Sequence, residues 1–276
     1  MAKLALGTVQ FGMNYGISNT TGEVSDFDFN ETLNFCLENQ VDVLDTARAY
    51  GKAESRIGSF SSKSKFKIVT KIPHPITDIR KHFEESLKSL QVKRVYGLML
   101  HRGENFLEDE KYFRELSKLR ESGVATKIGG SFYDFKKLQE VVNRYPIDMV
   151  QVPFNILDQR LLEYIDFFKE KDIEIHTRSA FLQGLFFLSD EEIKKNFTSA
   201  FEKVQELKKI AESKSIPWAE FLLSFCFHSK IDYVVVGVQT KEQLAQNLNI
   251  HECSQDYSRF KIDDESVINP SLWSSR

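Results

Sequence analysis

The sequence predicts an α/β protein, a (β/α)8 TIM barrel built as one domain over residues 1–276. Three observations predict it. Short apolar runs recur eight times, near 4–9, 41–46, 66–72, 95–101, 126–131, 148–154, 173–178 and 232–238. Most are separated by polar stretches in which apolar residues fall at helical spacing. Strands alternating with helices of that length make right-handed βαβ units and a parallel sheet. An open doubly wound sheet uses the same alternation with fewer strands, but no GxGxxG follows the first run, so a closed barrel is expected.

Along the chain, LALGTV (4–9) precedes the helical FNETLNFCLENQ (29–40), and VDVLDT (41–46) leads through a polar stretch to FKIVTKI (66–72). The helical patterns DIRKHFEESLKSL (78–90), EKYFRELSKLRES (110–122), FKKLQEVVNRY (135–145) and RLLEYIDFFKEK (160–171) then follow the third to sixth runs in turn. The longest gap, about 179–231, lies between strands seven and eight. It holds FLQGLFFLSDEEIKK, then the helical FTSAFEKVQELKKIAESKSIP and WAEFLLSFCFHSK, so an extended loop and an extra helix are expected there. After the eighth run, VQTKEQLAQN (238–247) turns into a helix whose N-terminal amides favour an anion.

With 276 residues and 41% apolar content the chain is long enough for a sizeable core, and no Pro/Gly/Ser-rich linker divides it. A net charge of −3 and a pI near 6.1 leave no electrostatic footprint for nucleic acid; the Lys-rich 61–67 reads as a solvated turn. Cys36, Cys226 and Cys253 are odd in number and lack metal-ligand spacing, which suits a reducing cytoplasm. No signal peptide and no membrane span are read, so the expected location is cytoplasmic, as a monomer or weak homo-oligomer acting on a small molecule.

Four polar residues stand at or just beyond the ends of three consecutive runs: Asp45 and Tyr50 after the second, Lys71 in the third, His101 after the fourth. In a parallel barrel such positions open into the active-site mouth. A free tyrosine, with a pKa of about 10, is a weak proton donor to a developing alkoxide. A neighbouring ammonium is expected to lower that pKa, so Lys71 is the candidate cation and Asp45 the carboxylate that keeps it charged in a desolvated mouth. A neutral His101 can donate one hydrogen bond to a carbonyl oxygen. His176, alternating with apolar residues, reads instead as a packed barrel residue. Trp218 and Trp273 read as packing, and Tyr15, Phe181 and Phe186 as candidate pocket walls.

The segments LDTARAYG (44–51), VTK (69–71) and LMLHR (98–102), in this order and spacing, resemble the aldo-keto reductase superfamily, whose catalytic tetrad is Asp, Tyr, Lys and His. Nearly the whole chain shares the resemblance, through LGTVQFG (6–12), ATKIGGSF (125–132), MVQVPFN (149–155), RSAFLQGLF (178–186) and VVVGVQTKEQLAQNL (234–248). It implies an NAD(P)H-dependent reductase of an aldehyde or ketone, NADPH being preferred and NADH the alternative. The pairing of TVQFGMNYGI with RSAFLQG resembles a bacterial subgroup associated with sugar metabolism, so the implied carbonyl substrate is sugar-like. The short connection after the fourth strand and the few residues after the eighth helix imply an open mouth.

Cofactor positions follow from the same resemblance. Gly7 and Thr8 approach from the first strand, Ser131 and Gln151 hold the nicotinamide carboxamide, and Ser179 with the loop through Leu185, Leu182 and Gly184 included, lies along the pyrophosphate and nicotinamide ribose. Gly237, Gln239, Thr240, Gln243 and Asn247 take the adenosine end, with Lys241 near a 2′-phosphate. Two departures stand out: Ser131-Phe132 where many members have Ser-Asn, and Arg178 where many have the tyrosine that stacks beneath the nicotinamide. A guanidinium there would disfavour the cationic oxidised ring, so Arg178 is expected to reach a phosphate or a substrate anion. Readings from other classes are a non-catalytic cofactor-sensing or partner-binding protein on the same fold, a Schiff-base enzyme using Lys71, and a metal-dependent hydrolase.

Overall fold

A computed structural model describes residues 1–253 and 255–273. Eight parallel strands, β1 (Lys3–Gly7), β2 (Val43–Asp45), β3 (Lys67–Ile72), β4 (Val95–Leu100), β5 (Ala125–Ser131), β6 (Met149–Pro153), β7 (Glu174–Arg178) and β8 (Tyr233–Gly237), close into a barrel in sequence order, β8 pairing back onto β1. The fold is thus a single-domain (β/α)8 TIM barrel, as the sequence predicts. Each strand lies within one or two residues of an apolar run, because the outward side chains are buried under helices and the inward ones in the barrel.

The helices are α1 (Asp26–Glu38), α2 (Ala53–Ser59), α3 (Ile79–Leu90), α4 (Asn105–Glu108), α5 (Glu110–Glu121), α6 (Phe135–Arg144), α7 (Ile165–Glu170), α8 (Asp190–Asn196), α9 (Thr198–Ser213), α10 (Trp218–Phe227), α11 (Lys241–Asn247) and α12 (Glu265–Ile268). Ser25, Asp78, Asp109, Asp134, Ser189 and Thr240 cap six of them by accepting a backbone N–H in the first turn. Of the expected helix at 160–171, residues Arg160–Glu163 form a 3₁₀ turn and only Ile165–Glu170 is α-helical. Between β7 and β8 lie a 3₁₀ segment at Leu182–Phe187 and then α8, α9 and α10. None of the described helices is long and apolar enough to cross a membrane.

Strand side chains alternate in and out, and this parity carries the site. Ala5, Val43, Val69, Met99 and Met149 pack together inside the barrel with Tyr233 and Val235. Two residues further along the same strands, on the same inward parity, stand Gly7, Asp45, Lys71, His101, Gln151 and Gly237, and β5 and β7 add Ser131 and Arg178. The apolar layer is therefore the floor on which the polar mouth rests. Met149 fills space released by two glycines: a Cβ on Gly129 would lie 1.9 Å from the Met149 carbonyl oxygen, and one on Gly97 2.7 Å from its sulfur.

Below that floor the barrel is closed by a polar cluster. Glu174 accepts hydrogen bonds from Tyr96 (2.6 Å) and Lys127 (2.7 Å), and its other oxygen lies 2.7 Å from His176 Nε2. Burial would raise the Glu174 pKa, but these partners outweigh it and hold the group at about 2. His176 is fully buried, 4.8 Å from the Tyr233 ring, so it is a packed barrel residue as the alternation predicts. Trp218 donates to the Phe186 carbonyl (2.9 Å), and Trp273 packs on Phe197.

Candidate active site

The mouth of the barrel holds a cavity of about 730 Å³. Its walls come from the strand ends, from the loop after β1, from the segment after β7, and from β8 into α11. Asp45 sits at its base, 3% exposed, where Thr8 fixes its backbone by donating from both N and Oγ1 to the Asp45 carbonyl (3.0 Å each). One carboxylate oxygen accepts from Lys71 Nζ at 2.6 Å and the other from Gln151 Nε2 at 2.7 Å. Lys71, 1% exposed, also donates to the Thr46 carbonyl at 3.0 Å. Burial lowers the Lys71 pKa and the Asp45 charge opposes that fall.

Tyr50 lies on the turn after β2, and two glycines hold that turn against the β1 loop. A Cβ on Gly12 would sit 1.9 Å from the Tyr50 carbonyl oxygen, and one on Gly51, whose φ is +53°, 2.2 Å from the Gly12 oxygen. The Tyr50 ring centroid is 5.3 Å from Lys71 Nζ, and the His101 ring stands edge-on at 5.7 Å. The four residues singled out by their strand-end positions thus meet in one place.

The electrostatics differ from the sequence expectation in one respect. Burial raises the Tyr50 pKa, the Asp45 charge adds to that rise, and the Arg178 charge opposes it. Lys71 is paired with Asp45, and the phenol stays protonated at neutral pH. His101 is pushed down to about 4 by burial, then by the charges of Lys71 and Arg178, with Asp45 opposing. Its imidazole is therefore neutral near pH 7, as expected for a group that orients.

Most residues assigned to cofactor binding line the cavity: Gly7, Thr8, Ser131, Gln151, Arg178, Ser179, Gly184, Gly237, Gln239, Gln243 and Asn247. Three do not. Leu182 is fully buried beneath the segment after β7, Thr240 is spent as the α11 cap, and the Lys241 ammonium is paired with Glu31 on α1. Gln151 reaches the cavity, but its amide nitrogen is committed to Asp45. Of the candidate walls, Tyr15 and Phe181 line the cavity, whereas Phe186 is fully buried against Trp218. The Phe132 ring also points away, 1% exposed, into space left by Gly103 and Gly130.

Sequence reasoning attached no role to Gln10, Met13, Asn19, Tyr133, Gln183, Phe187 or Gln246, all of which line the cavity. They sit in loops or on the rim of α11, where no alternation marks them. In the structure Ser179, Leu182, Gln183 and Gly184 all have positive φ, and left-handed backbone at three non-glycine residues is strain of the kind that clusters at binding sites. This strap is fastened to the β1 loop by Ile17 N donating to the Gln183 carbonyl at 2.9 Å, and a Cβ on Gly184 would sit 2.0 Å from Ser18 Oγ.

The cavity suits a nicotinamide dinucleotide. It falls within the ~300–1,000 Å³ typical of cofactor sites, and its polar lining is mostly amides and hydroxyls from Gln10, Gln183, Gln239, Gln243, Asn247 and Ser179. Gln10 Oε1 is buried without a partner, an acceptor awaiting a donor.

The chain belongs to the aldo/keto reductase family, whose model matches residues 3–266. Membership implies an oxidoreductase. Among solved structures the chain is similar to the glycerol dehydrogenase of Gluconobacter oxydans, at 18% identity over 93% of this chain and 89% of that one with a TM-score of 0.73. It is also similar to an aldo-keto reductase of Bacillus halodurans in a holo form, at 17% identity over 94% and 90% with a TM-score of 0.71. At such identities the likeness is one of fold. No curated protein matches the sequence.

Proposed function

We propose that the protein is an NAD(P)H-dependent reductase of an aldehyde or ketone, with Tyr50 as the acid. The convergence of Tyr50 with the buried Asp45–Lys71 pair and a neutral His101 at the cavity carries this reading. When bound, the cofactor supplies the hydride that reaches the carbonyl carbon. The Tyr50 hydroxyl gives its proton to the carbonyl oxygen, and His101 donates a hydrogen bond to that oxygen and so fixes the carbonyl against the acid. Asp45 and Lys71 hold each other as a charged pair beneath the phenol. Lys71 is an unsuitable Schiff-base nucleophile, because its nitrogen is buried and donates to two oxygens.

The segment 179–231 serves as cofactor cover, with Ser179 and Gly184 beside the pyrophosphate and ribose. Ser131 faces the carboxamide. Gly237, Gln239, Gln243 and Asn247 face the adenosine. No described residue after Asn247 lines the cavity, which fits an open mouth and a bulky, polar, sugar-like substrate. The described residues after Asn247 do not cap the mouth: Tyr257 and Ile262 bond to Gln159 and Leu157 after β6.

At the adenosine end Lys241 can leave Glu31 at little cost, since exposed ion pairs are worth about 0–1 kcal/mol. Calorimetric titration of the cofactor-free protein is therefore expected to show binding of both NADPH and NADH, with NADPH favoured by no more than about tenfold. Binding of neither would overturn the reductase reading.

The state of His101 predicts a pH effect on stability. Its folded pKa of about 4 lies below the unfolded value near 6.5, so the unfolded chain binds more protons between those values. Stability is expected to fall as pH drops through that window, and His101→Gln should flatten the slope in urea melts taken at a series of pH values. An unchanged slope would mean that the ring is charged in the fold.

A further inference from the structure

Arg178 is the only arginine or lysine among the residues lining the cavity, and among the described residues it has no carboxylate partner. Its guanidinium is nevertheless held in one orientation. Nε donates to Ser131 Oγ at 3.2 Å, Nη1 to Ser179 Oγ at 3.4 Å and Nη2 to the Phe132 carbonyl at 3.2 Å. Its Cζ lies over the Tyr133 ring, 3.9 Å from the centroid. A guanidinium has five N–H groups, so each terminal nitrogen keeps one unspent.

That pair makes a fork matched to two oxygens of a carboxylate or phosphate. The fork stands at the reacting end: Ser131, its anchor, is in register with Gln151, whose amide donates to Asp45. Its charge is felt at Tyr50, Lys71, His101 and Tyr15. A half-buried cation fixed without a counter-ion is unfavourable for the chain alone, because it gives up hydration and gains no ion pair.

We propose that Arg178 is the subsite for an anionic group of the substrate, a carboxylate carried on the same molecule as the reacting carbonyl, so that the substrate is an oxo acid or an acidic sugar. This rests on the reductase reading for the carbonyl and on the fork alone for the anion. Tyr15 and Tyr133, which line the same stretch, supply the walls.

The test is calorimetric titration with oxamate, a carboxylate next to a carbonyl that is not reduced, into the wild type, Arg178→Lys and Arg178→Gln, with and without NADPH. Oxamate is expected to bind the wild type, about 10-fold more weakly with Lys, which keeps the charge and loses the fork, and about 100-fold more weakly with Gln. Equal affinity in all three proteins, or no binding to the wild type, would overturn the subsite. An NADPH affinity that falls in step with oxamate affinity would assign the fork to a cofactor phosphate and equally overturn it. Arg178-dependent oxamate binding by a protein that reduces no carbonyl compound would leave the subsite standing and remove the reductase reading instead.

Discussion

Tyr50→Phe is expected to lower turnover about 10²–10⁴-fold while NADPH affinity changes little. The variant removes one oxygen from a ring held by its turn and by edge-on contact with His101, so the cavity keeps its shape. What disappears is a proton needed only as the carbonyl oxygen gains charge, so kcat should fall and the cofactor dissociation constant should not. The elevated Tyr50 pKa sharpens the expectation, because the wild-type phenol stays protonated through neutral pH and reduction should show no loss of rate between pH 6 and 9 from this group. Stopped-flow oxidation of NADPH in single turnovers separates the chemical step from product release. Wild-type turnover by Tyr50→Phe would require another acid, and Tyr15 and Tyr133 are the other phenols lining the cavity.

The fold and the core of the site were legible for one reason, which is that a barrel strand writes both into a single run. Val43 packs the interior, and Asp45, two residues on, has the same parity and one layer more height. The same rule places Lys71 above Val69 and His101 above Met99. Wherever a run ends on its inward parity with a polar residue, that residue reaches the mouth. Loop residues follow no such rule. Gln10 and Tyr133 enter the cavity because the β1 loop and the turn after β5 fold over it, and neither position has a period to betray it.

Two features of the site have tertiary causes that the sequence does not show. Lys241 stands at the start of α11, as the sequence shows, but the sequence does not show that Glu31, on α1, pairs with it. Lys71 is the cation expected beside Tyr50, and the sequence does not show that Arg178, at the end of β7, also bears on the phenol. The helix α2 was not predicted, since AESRIGS has too few apolar positions to show a period. Its burial is carried by Ala53, Ile57, Gly58 and the Glu54 carboxylate, which accepts from Thr70 at 2.7 Å.

Removing Lys71 alone should damage stability as well as activity, and the pair separates the two. Lys71→Met leaves Asp45 buried with only Gln151 as a side-chain donor, and breaking a buried ion pair from one side costs about 3–5 kcal/mol. Asp45→Leu alone strands the ammonium in the same way. The double variant Lys71→Met/Asp45→Leu removes both charges and fills the volume with apolar atoms, a replacement that is often neutral or stabilising by ~1–4 kcal/mol. Urea melts are therefore expected to show two destabilised single variants and a double variant near wild type. Turnover should not follow. In the double variant nothing charged remains beneath Tyr50 to balance charge that develops during reduction, and kcat should stay about 10²-fold or more below wild type. Recovery of stability with loss of rate would mean that the pair is retained for chemistry against its own desolvation cost. Recovery of both would reduce Asp45 and Lys71 to packing and leave Tyr50, His101 and Arg178 as the working groups of the mouth.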